Sequence, residues 1–439
     1  MSTFYSSVCL VMKEVFLQYV WKNGLFDHNN MRTVTGERVE IVSLGTCNTD
    51  SGPDFFNAHI RIGGVLWVGN VEIHVRSGDW FRHNHHKDRA YDNVILNVVD
   101  FYDKPVFNSH GKEVLSCVLG YSHNLIREYE VLSGNRRFLY CFDKLSPEDL
   151  FSFKFWLQSL VIERLERKSE TILRSFARNK NSWEETMYQL VARYFGMNVN
   201  AEAFEELACS LPLKVLARQK KSAFQIEALL LGQSGLLFSL DPDTYQDSLI
   251  KEYDFLRKKY SLEPIDPCVW KFMRTRPYNF PTIRIAQFAH FVWNSESLFS
   301  KVLEMDSLDD IRGLFDTSAS VYWDTHFDFS KFSQRKTKKM GRSTLDIIII
   351  NAIVPMIFAY GEYNNMYKFK EKAVDLLESI KAERNYITKK WEGKGVRLSS
   401  AADSQALIQL KREYCDKKRC LHCEIGNKIM LCANVCSKF

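Results

Sequence analysis

This sequence has no low-complexity tract, no internal repeat and no flexible tether: its 439 residues hold only 10 prolines and 20 glycines. Disordered and repeat architectures are excluded, and a chain of this length divides into two or three domains. A convincing targeting segment is also lacking. Met1 to Val11 is mildly apolar but has neither a basic start nor a small-residue cleavage site, so it reads as an extension, with Met12 a second start. The strongest apolar run, Leu345 to Tyr360, is broken by Asp346, Asn351 and Pro355 and falls short of the roughly 20 residues of a membrane span. A buried core helix, no membrane partner and a cytoplasmic location are the expectations. With 11 cysteines and no secretion signal, a disulfide framework gives way to reduced thiols or metal ligands. Nor is there a strong charge of one sign. The net is +6; residues 1–143 carry 14 basic against 16 acidic side chains, and the rest 45 against 37. An acidic first part beside a basic remainder permits a polyanionic substrate without requiring one.

Hydrophobic residues make up 46% and aromatics 13%, enough for substantial cores. Residues 12–22 read as an amphipathic helix ended by Gly24. Short β-rich runs follow at Arg38 to Leu44, Asn93 to Val99 and, more weakly, Pro105 to Leu119. Phe55 to Ile62 and Val65 to Arg76 read as a hairpin whose turn, Gly63-Gly64, supplies positive φ angles. From Ser146-Pro147-Glu148-Asp149, a helix start, the apolar period turns helical. Ser182 to Glu185 opens a second helix, and others fit 200–209, 222–233, 245–260, 283–302, 344–360 and 366–380. The fold class is therefore an α/β or α+β domain over 1–130, followed by a large all-α region over 145–439 that ends in a cysteine-rich tail.

The segment Gly52 to Asp88, GPDFFNAHIRIGGVLWVGNVEIHVRSGDWFRHNHHKD, carries the chemistry. Asp54 stands at the mouth of one strand. On its hairpin partner, period-two alternation puts Val71, Ile73 and Val75 on one face and Asn70, Glu72, His74 and Arg76 on the other. Either this is an antiparallel strand with one wet face, or carboxylates are buried there, which requires pairing or a metal. Two close carboxylates repel, and a hard cation such as Mg²⁺ or Mn²⁺ relieves the repulsion. Four of the 11 histidines, His74, His83, His85 and His86, fall within thirteen positions, so the last three are candidates to reach the same site.

Pro53-Asp54 followed by Glu72-Ile73-His74 resembles the core of the PD-(D/E)XK nuclease superfamily. That resemblance implies a restriction-endonuclease-like domain of one helix and several short strands. It also implies that Asp54 and Glu72 hold a divalent metal and that the residue two after the acid positions or activates water. His74 stands where a lysine is usual, a neutral imidazole in place of a fixed cation.

A second candidate site lies at the end of the chain. Cys415, Cys420 and Cys423 have Cys-x4-Cys-x2-Cys spacing, with Cys432 and Cys436 downstream, and suit zinc, an iron–sulfur cluster or plain packed thiols. Gly426 reads as a helix stop. Lys331 to Lys339 is a basic run suited to a solvated loop or to phosphate. Trp270 to Arg284, with four basic side chains among aromatics, suits a packed elbow or stacking on unpaired bases.

Across the chain, Gly52–Val99, RTRPYNFPTIRIAQFA, Ile349–Tyr360 and SQALIQLKREYC…CLHCEIG resemble a bacterial family catalogued only as a domain of unknown function. The resemblance runs from Met12 to about Met430 and supplies no activity. The function expected from the residues is a divalent-metal-dependent nuclease or phosphodiesterase, with DNA or RNA as partner. A non-catalytic scaffold with a degenerate nuclease-like core, or a hydrolase of small phosphorylated molecules, are the alternatives.

Overall fold

The computed structural model describes residues 14–134, 141, 144–146, 153–273, 275–329 and 331–435. The Met1–Val11 extension, Met12 and the Pro147-Glu148-Asp149 helix start lie outside the described residues. The chain forms two compact units, one of residues up to Phe153 together with those from Lys411 onward, the other Lys154–Leu410.

In the first unit, residues 14–22 form α1, whose Phe16, Leu17, Tyr19, Val20 and Trp21 are buried while Glu14 and Gln18, one turn apart, share a half-buried face. The sheet has six strands: β1 (Val39–Ser43), β2 (Thr46–Cys47), β3 (Phe55–Ile62), β4 (Val65–Arg76), β5 (Val94–Phe101) and β8 (Ser116–Val118). The short β6 (Val106–Phe107) and β7 (Glu113–Val114) pair separately. Its order is β1-β3-β4-β5-β8, with β2 beside β3. The β1, β3 and β4 pairings are antiparallel, whereas β4–β5 and β5–β8 are parallel.

The expected hairpin forms, with Gly63 at φ 56 and Gly64 at φ 90 in its turn. One strand departs from the alternating pattern. β4 is exposed at Val65 and Leu66, yet Asn70 through Val75 are buried on both faces. The wet-face reading fails there because β4 leaves its hairpin partner and takes β5 as a parallel neighbour, so the second half of β4 is central and covered. The link from β4 to β5 is α2 (Asp79–Arg82) and two short turns, and it encloses a small core of Trp80, Tyr91, Val94, Val106 and Val114. α3 (His123–Gly134) follows β8, and α4 (Glu424–Val435) belongs to this same unit. The cysteine-rich tail, expected with the helical region, is thus part of the first unit. Gly426 lies in the first turn of α4 and does not end a helix: a Cβ there would stand 2.0 Å from the Cys420 carbonyl oxygen.

Among its described residues the second unit is helical apart from the strand pair His326–Asp328 and Lys331–Phe332. Ser182 caps helix Trp183–Phe195 by accepting the Glu185 N–H at 3.2 Å. The single helix expected over 283–302 is two, Pro281–Asn294 and Leu298–Glu304, divided where Ser297 takes φ 47. Residues Arg342–Tyr363 form one helix long and apolar enough to cross a membrane by length and composition, and 78% of its apolar window is buried inside the protein. A π turn at Ile349–Ile353 precedes Pro355, which has no N–H to donate and so breaks the regular ladder at that point. Trp270 and Arg284 are buried, and Arg284 donates to Asn279, Gln287 and Thr344, whereas Lys271, Met273, Arg276 and Tyr278 between them are exposed. The basic run is mostly exposed. Its Lys338 is not: the ammonium is enclosed by the Asp324 and Lys336 carbonyls and the Ser333 hydroxyl.

Candidate metal centre

The hairpin turn fixes the register of β3 on β4, pairing Phe55 with Val71 and thereby setting Asp54 beside Glu72. Between Phe55 and Ala58 the register slips, with Asn57 at φ 54, an angle that asparagine tolerates. The buried Asn70 side chain accepts the Asn57 N–H at 3.3 Å and holds this bulge next to the site.

Asp54 and Glu72 are tied through backbone. The Asp54 N–H donates to Glu72 Oε2 at 3.0 Å, and the Ile73 N–H donates to Asp54 Oδ2 at 3.0 Å. Gln18 on α1 donates to Asp54 Oδ1 at 2.9 Å. The other Glu72 oxygen, Oε1, faces two imidazoles, 3.2 Å from His85 Nε2 and 3.8 Å from His74 Nε2. Neither contact is aligned as a hydrogen bond, so both Nε2 atoms are buried without a hydrogen-bond partner.

Each imidazole is held from behind. His74 Nδ1 lies 3.0 Å from Asn97 Oδ1, and the Asn97 amide nitrogen donates to Ser116 Oγ at 3.3 Å. The Asn97 oxygen can only accept, so His74 carries its proton on Nδ1 and turns the Nε2 lone pair toward Glu72. His85 stacks on Tyr91, with ring centroids 3.8 Å apart, and meets the edge of Trp80. His74, His83 and His85 present ring nitrogens within 4.8 Å of one another, His83 from the exposed side. His86 does not join them; its ring packs on Phe81.

The electrostatics follow from burial. Burial, then the Glu72 carboxylate, raises Asp54 to about 7; burial raises Glu72 to about 8, against the Asp54 N–H. Burial, then Asp54 and Asp79, raises Glu14 to about 7, and Glu14 in turn bears on Glu72. His74 is pushed down to about 3 and His85 to about 4 by burial, and His83 is lowered by burial and by His85. Three acids thus resist ionising side by side, and three imidazoles stay neutral around them. Asp79 is turned to its own neighbours: its Oδ2 accepts the Arg76 N–H at 3.1 Å and its Oδ1 pairs with Arg82 at 3.2 Å.

Of the candidate residues, the fold gathers Asp54, Glu72, His74, His83 and His85, leaves His86 aside, and adds Glu14, Gln18 and Asn97. The signal for Glu14 and Gln18 was their i, i+4 spacing on an otherwise apolar helix face. The residues present fit a divalent cation: Glu72 Oε1 faces the unpartnered Nε2 atoms of His74 and His85, His83 brings a third ring nitrogen, and a positive charge would relieve the strain that raises the acids. Cys415, Cys420 and Cys423 lie in the α4 region, at a reversal of the chain.

The protein is thus one with a mixed-sheet unit bearing a buried acid–imidazole cluster, followed by a large helical unit. The model of the family described as "Protein of unknown function (DUF2851)" matches residues 14–386, and the chain belongs to that family. The match stops short of the closing block around Cys415 to Gly426, which the sequence resemblance had included. No curated protein and no solved structure matches the chain.

Proposed function

We propose that the first unit is a divalent-metal-dependent phosphodiesterase of restriction-endonuclease-like type, acting on nucleic acid, with Asp54 and Glu72 as its metal-holding acids. One observation carries this reading. The Asp54 N–H is hydrogen-bonded to Glu72 across adjacent strands, and both carboxyls are raised to neutrality or above by burial beside imidazoles whose Nε2 atoms have no hydrogen-bond partner. The order of α1, an antiparallel β1–β3–β4 group and a parallel β5 supports it, being the one helix and several short strands the nuclease resemblance implies.

Asp54, Glu72, His85 and His74 would hold the cation, with the Glu14 carboxyl adding to the negative field at Glu72. A bound ion would supply positive charge for a scissile phosphate and lower the pKa of a neighbouring water. The chain's own groups do the rest. Gln18 and the Ile73 N–H aim Asp54, and Asn97 aims the His74 lone pair. A histidine with its pKa near 3 is too weak a base to take a proton at neutral pH, so His74 acts as a neutral ligand or acceptor. The exposed His83 is the imidazole able to pass protons to solvent. Nitrogen donors of this kind suit Mn²⁺ better than Mg²⁺, which prefers oxygen.

The test is cleavage of labelled single- and double-stranded DNA and RNA by chelator-stripped protein after Mn²⁺ or Mg²⁺ is restored. Mn²⁺-dependent cleavage that Glu72→Ala abolishes supports the reading. Equal cleavage by variant and wild type would mark a contaminant and defeat it. Mn²⁺ uptake with no cleavage of any nucleic acid would favour the scaffold alternative.

A further inference from the structure

Two stretches of the second unit carry positive charge and no acid. Residues 267–295 hold four basic side chains and residues 329–345 hold six, with no aspartate or glutamate in either. The fold packs one on the other. The Lys336 ammonium stands 5.5 Å from the Tyr278 ring, and Gln287 donates to the Lys338 carbonyl at 2.7 Å. Tyr278 also packs edge to face with Phe327, ring centroids 5.1 Å apart.

Part of that charge is already used. Arg284 and Lys338 are buried. Lys331 pairs with Asp328 at 3.0 Å, Lys339 with Asp316 at 2.9 Å and Arg342 with Asp309 at 3.6 Å. Arg276, Arg335 and Lys336 are exposed and have no ion pair among the described residues. The loop that presents the last two is fixed in place. The Ser333 N–H donates to the Thr325 carbonyl at 2.7 Å and the Lys336 N–H to the Asp324 carbonyl at 2.8 Å. The enclosed Lys338 ammonium pins it further, lying 4.3 Å from the Phe327 ring.

On this pinned frame Phe332 is left 83% exposed, its ring 4.6 Å from the buried His326, and Tyr278 is exposed beside Lys336. Cations set among exposed rings match unpaired nucleic acid, whose phosphates the cations neutralise and whose bases offer faces for stacking. In a duplex those faces are covered by neighbouring bases. An anionic membrane calls for a continuous apolar face, and here Ser333, Gln334 and Thr337 interrupt it.

We propose that this surface of the second unit binds single-stranded nucleic acid, with Phe332 stacking on a base and Arg276, Arg335 and Lys336 meeting phosphates. The proposal goes beyond the cleavage reading and does not rest on it, since it uses no residue of the first unit.

The test is fluorescence anisotropy of a labelled single-stranded oligonucleotide, and of the duplex of the same length, titrated with the full chain in excess chelator. The single strand is expected to bind more tightly than the duplex. Phe332→Ala should weaken single-strand binding by about ten-fold and leave its salt slope as it was. Replacing Arg335 and Lys336 together by alanine should lower that slope by about one to two. No binding of the single strand by wild type, a duplex bound as tightly, or unchanged affinity in a folded Phe332→Ala variant overturns the proposal. So does binding of phosphatidylserine vesicles that the same substitutions abolish, which would assign the surface to a membrane. The comparison of single strand with duplex needs only wild type, so variants that fail to fold leave the test intact. Because binding is read in chelator, its outcome is independent of whether the metal-loaded protein cleaves.

Discussion

Each unit buries a glutamate on a structured element, and the two are treated in opposite ways. Glu227, in helix Ala223–Gln233, accepts hydrogen bonds from Trp323 Nε1 at 2.7 Å and from Ser320 Oγ at 3.2 Å. Neutral donors surround it, and burial raises it without any acid beside it. Glu72 has one backbone donor, a second acid at its back and two imidazole lone pairs in front. The first is a satisfied core contact. The second leaves Glu72 Oε1 and two imidazole Nε2 atoms without a hydrogen-bond partner, which a fold has little reason to keep unless a cation completes them. Burial alone therefore says little about function; what distinguishes the two is whether the donor and acceptor count closes.

The largest expected effect separates them directly. Glu72→Ala should reduce cleavage by about a thousand-fold or more while leaving the melting temperature of metal-free protein unchanged or higher. Glu227→Ala should leave cleavage near wild type and cost about 1–3 kcal/mol in stability, because it strands the Trp323 and Ser320 donors. Activity assays paired with denaturant melts of both variants would decide, and the reverse pattern would break the comparison.

Asn97→Leu sharpens it one step out. Losing the acceptor that fixes the His74 tautomer should weaken Mn²⁺ binding by about 10- to 100-fold, with Glu72 itself untouched. Titrating the metal into the folded variant measures this, and unchanged affinity would remove His74 from the centre.

A smaller effect is the pH dependence of metal-free stability. Glu14, Asp54 and Glu72 have folded pKa values of about 7, 7 and 8, above their ordinary 4.5, 3.8 and 4.5, so the folded state binds more protons through that range. Stability from these acids is full at low pH and lost as pH rises. The histidines act oppositely, but only below their ordinary 6.5, since their folded values are lowered. Above pH 6.5 the acids act unopposed, so chelated protein should lose melting temperature from about pH 6.5 to 8. Saturating Mn²⁺ should flatten the loss. The smallest effect belongs to Arg335→Ala in the exposed loop of the second unit: less than about 0.5 kcal/mol in stability, and a salt slope of nucleic-acid binding lower by about one if that loop meets phosphate.

Much of this was legible in the sequence, and what was not has identifiable reasons. Asp54 and Glu72 could be paired because a Gly-Gly turn fixes hairpin register and period two fixes the face. The burial of both β4 faces was hidden because alternation presumes a single antiparallel neighbour, and β4 changes partner halfway along. Gln18 and Glu14 were visible only as an i, i+4 pair; what aims them at Asp54 is the packing of α1 on the sheet, which no local pattern encodes. The return of α4 to the first unit, where it packs on α3, is a contact across most of the chain. The helix break at Ser297 escaped because apolar spacing continues through it while the backbone does not.

The measurement closest to the central claim is calorimetric titration of Mn²⁺ into chelator-treated protein near pH 7.5, wild type beside Glu72→Ala. A saturable site is expected in the wild type and not in the variant, with the variant as well folded as its parent. No uptake by the wild type, or equal uptake by both, would contradict it.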